Sequence, residues 1–174
     1  AMTAWAEDIE TYYVDANGKT HNITATVLTG DESKLGTDGQ TTWYLVNSDI
    51  SHSGQVTCRG DVNIILADGA TMTTSSDHGD GIGGNSGSLT IYGQTNGTGT
   101  LDVTATGSCD MGIMAYGGIT INGGTVSTTA DGFGIYSDFG SVTINGGTVS
   151  ATGKAQGINS NRGGITISGG TVTA

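Results

Sequence analysis

Four carboxylates stand shortly ahead of a recurring Gly-Ile pair. Asp77 and Asp80 precede Gly81-Ile82, Asp110 precedes Gly112-Ile113, and Asp131 precedes Gly134-Ile135. Carboxylates and main-chain carbonyls at a tight turn are the hard oxygen ligands that Ca2+ takes, about six to eight at a time. Stacked turns could bring such ligands together, so Asp77, Asp80, Asp110 and Asp131 are the candidate ligands of a structural Ca2+. The alternative is that Asp is simply a good turn former facing water. Neither an Asp-x-Asp-x-Asp loop nor a Gly-Gly-x-Gly-x-Asp nonapeptide repeat is present to decide between them.

A second set of residues suits sugar. Tyr116, Tyr136 and Phe139 recur near the same strands and turns, as does Tyr92, with Asp138, Asn159 and Asn161 nearby. Aromatic rings offer a broad apolar face on which a sugar can stack, and amides and carboxylates hydrogen-bond its hydroxyls. Tyr116, Tyr136, Asp138, Phe139, Asn159 and Asn161 are therefore the candidate carbohydrate-binding residues. The competing reading has these rings covering loop backbone.

Other chemistry finds less support. A glycosidase needs two carboxylates facing each other across a groove, whereas the acids here occupy turn positions. A polysaccharide lyase needs a base, commonly Arg or Lys, and the repeat region offers only Lys154 and Arg162. No enzyme activity is expected, with a lyase or glycosidase-like enzyme as the catalytic alternative. His21, His52 and His78 lie far apart without ligand spacing. Arg59-Gly60-Asp61 is a tripeptide that some receptors read, and also an ordinary turn. The rows Thr125-Val126-Ser127, Thr148-Val149-Ser150 and Thr171-Val172-Thr173 raise ice binding, although Thr is a favoured exposed strand residue.

The elements that must position these groups follow from a repeat. Units begin at Gly112, Gly134 and Gly157, 22 and 23 residues apart, with a looser copy at Gly81, 31 residues before Gly112. Each carries three short runs of alternating apolar and polar residues, the mark of strands with one buried face. Asn-Gly-Gly at 122–124 and 145–147 and Ser-Gly-Gly at 168–170 supply corners. The expected fold is all-β, a right-handed parallel β-helix of about five coils of 22–31 residues with an N-terminal β-hairpin cap. The predicted inward columns are Ile82, Ile113, Ile135, Ile158; Leu89, Ile119, Val142, Ile165; Ile91, Ile121, Ile144, Ile167; and Leu101, Val126, Val149, Val172.

Residues 7–42 are expected to form the cap and 43–174 the β-helix, with Trp43-Tyr44-Leu45-Val46 beginning the stack. The C-terminal end shows no cap, which suggests that the chain continues there or meets a neighbour end to end. Residues 1–6 end in Ala4-Trp5-Ala6, the small-residue pattern of a signal-peptidase site, or else are a cloning scar. Export would permit a disulfide. However, Cys58 and Cys109 fall two coils apart, about 9.6 Å of rise, beyond the ~6.8 Å that a disulfide spans. Two free, partly buried thiols are expected.

Charge narrows the partners. Sixteen acids stand against five bases, net −11, so there is no basic patch for nucleic acid or an anionic membrane surface. No apolar run is long enough for a spanning helix.

The segments at 43–73 and 87–107, followed by copies of Gly-Ile-x-Ser and (Ile/Val)-Thr-Ile-Asn-Gly-Gly-Thr-Val, resemble exported surface proteins of gut Gram-positive bacteria. They are similar to the β-helical carbohydrate-binding-domain family of clostridial cell-surface proteins. The resemblance covers roughly residues 43–174. It implies a right-handed parallel β-helix, non-catalytic binding of plant or acidic polysaccharide, and Ca2+ in the turns. The family repeats carry Lys after Gly-Ile, where this chain has Tyr136 and Asn159, which argues against acidic sugars. The functional expectation is a secreted or cell-surface protein that binds polysaccharide or host glycan through an exposed face. A structural stalk or adhesin segment without a small ligand is the alternative.

Overall fold

The computed structural model describes residues 6–108 and 110–174. The start of the chain at 1–5 and Cys109 lie outside the described residues, so the reading of the first residues as a processing site and of Cys109 as a free thiol find no structural counterpart here.

The chain begins with an antiparallel hairpin, β1 (Asp8–Val14) and β2 (Thr20–Val27). Its turn is closed by Asp15, whose carboxylate accepts the N–H groups of Asn17 and Lys19, with Gly18 at φ 77°. Six coils follow. They consist of β3 (Lys34–Val46) and β4 (Ile50–Ser53); β5 (Val56–Leu66) and β6 (Thr71–Ser76); β7 (Ile82–Gly84), β8 (Leu89–Gly93) and β9 (Thr100–Ala105); β10 (Ile113–Ala115), β11 (Ile119–Ile121) and β12 (Thr125–Ala130); β13 (Phe133–Ser137), β14 (Val142–Ile144) and β15 (Thr148–Gly153); and β16 (Gln156–Ser160), β17 (Ile165–Ile167) and β18 (Thr171–Thr173). Successive coils pair in parallel on three faces, making a parallel β-helix. The long strands β3 and β5 run round the corner between the first and second faces, so these two faces form one continuous sheet.

The expected columns are those that pair. Ile82, Ile113, Ile135 and Ile158 are in register on the first face, and Leu89, Ile119, Val142 and Ile165 on the second. Leu101, Val126, Val149 and Val172 are in register on the third. All but the last-coil members are buried in one core. Branched side chains suit it because successive rungs repeat the same shape at about 4.8 Å. In the last coil Ile165 and Ile167 are 48% and 53% exposed, since no rung beyond β17 covers them.

The start of the stack differs from expectation. Lys34–Gly36 pair with Thr57–Arg59, so residues 34–42 belong to the first coil rather than to the cap, and the coils number six rather than about five. The alternation was masked there because a register shift between Gly36 and Thr41 breaks it. Leu28 and Leu35 are buried in the main core, and Gly30 lies against Ser51.

The hairpin is also more than an end cap. Leu45, Ile65 and Tyr92 are in register on the outside of the second face. Together with Trp43 they meet Ile9, Tyr13, Ile23 and Ala25 of the hairpin in a second small core. The Tyr13, Trp43 and Tyr92 rings lie 4.4–5.4 Å apart. Tyr92, grouped above with exposed aromatics, is thus a packing residue. The longer third coil serves the same attachment: Gln94 donates to the Tyr12 carbonyl, and Thr95 bonds the Tyr12 hydroxyl.

Glycine columns make the corners. A Cβ on Gly87 would lie 2.1 Å from the Gly60 carbonyl oxygen, one on Gly117 2.7 Å from that of Gly87, and one on Gly140 1.9 Å from that of Gly117. Rungs at strand spacing leave no room for a side chain pointing along the axis there. Gly140→Ala is expected to cost on the order of 2–3 kcal/mol in urea unfolding. Gly164, which has open space around a Cβ, should tolerate Ala within about 0.5 kcal/mol. Equal losses at both positions would contradict the stacked corner.

Candidate functional site

The corner between the first and second faces gathers the exposed aromatics. Three residues, 116–118, link β10 to β11, whereas four, 138–141 and 161–164, make the same turn in the next two coils. The extra residue accounts for the change from a 22- to a 23-residue repeat. Main-chain bonds keep these turns in register: Phe139 N–H donates to the Tyr116 carbonyl, and Arg162 N–H to the Asp138 carbonyl.

The result is a ladder along three coils. The Tyr116 and Phe139 rings are 4.4 Å apart and tilted by 42°, and the Arg162 guanidinium carbon is 4.1 Å above the centre of Phe139. Both rings stay open to solvent, Tyr116 at 40% and Phe139 at 42%. Ring pairs of this kind contribute about 0.5–1.5 kcal/mol beyond area burial and an exposed cation–π contact about 0.5–1 kcal/mol, which stiffens the platform without hiding it.

A polar cluster lies beside it. Asp138 accepts from the Tyr136 hydroxyl at 3.3 Å and from the Asn161 amide at 2.8 Å. Tyr136 stacks on Phe133 at 5.1 Å. Desolvation first, and the charge of Asp138 second, hold the Tyr136 phenol above its ordinary range, so it remains a neutral donor. Asn159 bonds Gln156. Of the six carbohydrate candidates, Tyr116 and Phe139 form the open platform, and Asp138, Tyr136 and Asn161 form one hydrogen-bonded group. Asn159, whose amide turns to its own strand, is not joined to either. Arg162 was missed as a platform residue. Its signal was present, since it occupies the same place before the glycine column as Phe139.

The four acids do not converge on one point. Asp110 accepts from Gly79 N–H at 2.8 Å, and Asp80 from Met111 N–H at 2.9 Å, so the two brace neighbouring coils reciprocally. Asp131 pairs with Lys154 at 2.8 Å, and Asp77 is exposed. Among the described residues no group of three or more His, Cys, Asp or Glu side chains is placed to hold a metal ion. Main-chain N–H groups meet Asp80 and Asp110, and a lysine meets Asp131.

Arg59, Asp61, His21 and His52 have structural partners, while His78 is exposed. Arg59 pairs with Asp38 at 3.2 Å, and Asp61 accepts from Ser88 N–H and Oγ, which makes Arg59-Gly60-Asp61 a corner of the second coil. His21 meets Asp15 at 2.7 Å and stacks on Tyr13, and His52 bonds the Gly30 carbonyl. Cys58 is a free thiol buried in the core rather than partly buried, and burial pushes it up to about 12, where it is unreactive. The hydroxyl rows of the third face extend over more rungs than the three read from the repeat: Thr71 and Thr100 continue the Thr125, Thr148, Thr171 column, and Asp102 interrupts its neighbour between Thr73 and Ser127.

Comparison with protein-family models, with curated proteins and with solved structures finds no significant match to this chain. The functional reading therefore rests on the corner itself.

Asp80 gives a pH test of the brace. Burial, with the Asp110 charge adding to it, raises its pKa against the opposing Met111 N–H bond. A carboxyl raised in the folded state costs stability when both states are ionised, and that cost vanishes as pH falls below the unfolded value. Asp80→Asn keeps an oxygen for Met111. The variant should unfold at higher urea than the parent at pH 7, with the difference closing below about pH 4. A pH-independent difference would show that Asp80 is not held in this way.

Proposed function

We propose that this β-helix is a non-catalytic, extracellular carbohydrate-binding protein whose binding surface is the corner bearing Tyr116, Phe139 and Arg162. The observation that carries the reading is the ring ladder. Two large apolar rings stand on a rigid scaffold, open to solvent, where a side chain of this kind normally seeks cover. Sugar rings have one weakly polar face that such a platform desolvates. The adjoining Tyr136, Asp138 and Asn161 offer a hydroxyl, a carboxylate and an amide to the sugar's equatorial hydroxyls.

Rigidity supports the same reading. The turns that carry the rings are tied by main-chain hydrogen bonds to the neighbouring coils, and the rings pack on each other and under Arg162, which lowers the ordering cost of binding. The net charge of −11 favours uncharged ligands over polyanions.

A glycan array followed by calorimetry on the retained sugar tests this. Tyr116→Ala and Phe139→Ala should each weaken binding about ten-fold, the effect of losing one central aromatic contact, with the unfolding midpoint little changed. Retention of no glycan, or affinity indifferent to both substitutions, would remove the reading.

A further inference from the structure

We infer that a second sugar subsite lies in the cavity between the corners of the first three coils, and that the ligand is therefore a linear, uncharged polysaccharide lying along the helix axis. The inference rests on the carbohydrate-binding reading of the aromatic ladder. It adds to that reading a second site, an orientation and a ligand class.

The cavity has a volume of about 190 Å³, and Asp38, Thr57, Arg59, Asn85 and Ser86 bring polar side chains to its lining. Sites for drug-sized ligands are larger, about 300–1,000 Å³, so this one takes a single ring-sized unit. Its polar groups are held in place. Arg59 Nη1 donates to Asp38 at 3.2 Å, Ser86 Oγ donates to the other Asp38 oxygen, and Gly60 N–H donates to Ser86 Oγ at 3.3 Å. The Arg59 and Asp38 side chains are still 59% and 57% exposed. A fixed planar donor beside a fixed acceptor matches a pair of adjacent sugar hydroxyls, one accepting and one donating. The Ser86 bond, and then Arg59, hold the Asp38 carboxyl below its ordinary range, which keeps it an acceptor.

The cavity and the ladder share one edge. The glycine column that passes through Gly60, Gly87, Gly117, Gly140 and Gly163 joins them. Arg59 belongs to the second coil, Asn85 to the third, Tyr116 to the fourth and Phe139 to the fifth. From Arg59 to Tyr116 is two rungs and to Phe139 three, about 10 and 14 Å along the axis at strand spacing. A monosaccharide or a short branch end cannot touch both, whereas an extended chain of a few units can. Two weak subsites on one rigid edge multiply in affinity when a single molecule reaches both. The charges on this edge are mixed, with Asp61 adding a further carboxylate at the corner of Gly60. Arg59 is matched by Asp38, and Arg162 lies beside Asp138 in the next-lower coil, in a chain of net −11. A polyanion would be repelled.

The test is calorimetry with xylo- and cello-oligosaccharides of one to about six units, and with oligogalacturonates of the same lengths, on the whole chain. Affinity for the neutral oligomers should rise at least about ten-fold between two and six units. Arg59→Ala with Asn85→Ala should bring the long oligomers down to the affinity of the short ones while leaving the short ones unchanged. Asn85→Ala alone should move the same way and guards against a loss of fold in the double variant. Length-independent affinity, or cavity variants without effect on long oligomers, overturns the second subsite. The ladder reading then still stands if Tyr116→Ala abolishes binding. Tighter binding of the galacturonates overturns the uncharged class. Binding of no oligomer overturns this inference, and a glycan array blank as well would remove the ladder reading with it.

Discussion

Every feature of this molecule depends on one spacing. Parallel coils are tied by main-chain hydrogen bonds, which hold equivalent residues about 4.8 Å apart along the axis. At the corners that distance leaves no volume for a side chain directed at the next coil, hence the stacked glycines Gly87, Gly117 and Gly140. Gly124, Gly147 and Gly170 meet the further demand of a positive φ, at 78°, 83° and 81°, where the chain turns from the second to the third face. Inside, the same spacing stacks identical branched residues, so Ile119, Val142 and Ile165 follow one another without a change of shape. The same spacing lets one rung's amide reach the next, as when the Asn145 amide donates to Asn122 at 2.8 Å.

A scaffold this constrained leaves few places where side chains are free to differ. The second face is partly covered by the hairpin, which takes Trp43, Leu45, Ile65 and Tyr92 into its own small core. The third face carries hydroxyls in rows. Along the corner between the first and second faces, Asn85, Tyr116, Phe139 and Arg162 stand outward in succession. A ligand that follows this edge meets a different group at every rung, and the scaffold sets the interval between them.

Much of the fold was legible because the repeat is regular where the core is regular. The Ile and Val columns and the three strands of each unit were readable from alternation alone, and pairing follows them without a shift from Ile82 onward. Legibility failed where alternation did. Lys34–Thr42 looked like part of the cap because the irregularity between Gly36 and Thr41 breaks the period. Tyr92 looked exposed because it alternates outward from the main core, and nothing local reveals that the hairpin returns to cover it. The partners of the acids before Gly-Ile were equally hidden, because only the folded chain brings Gly79 and Met111 N–H groups and Lys154 to Asp110, Asp80 and Asp131.

The division of labour is therefore clear in physical terms. Sequence alone determined the all-β class, the parallel stacking, the buried columns and the set of aromatics from which a binding surface could be drawn, because each depends on the period of apolar residues and glycines along the chain. Tertiary structure decided which aromatics remain open. Tyr13, Trp43 and Tyr92 pack together, while Tyr116, Phe139 and Arg162 line up in solvent. Strand order and corner length place residues 23 positions apart at touching distance, and that proximity cannot be read from a single copy of the repeat.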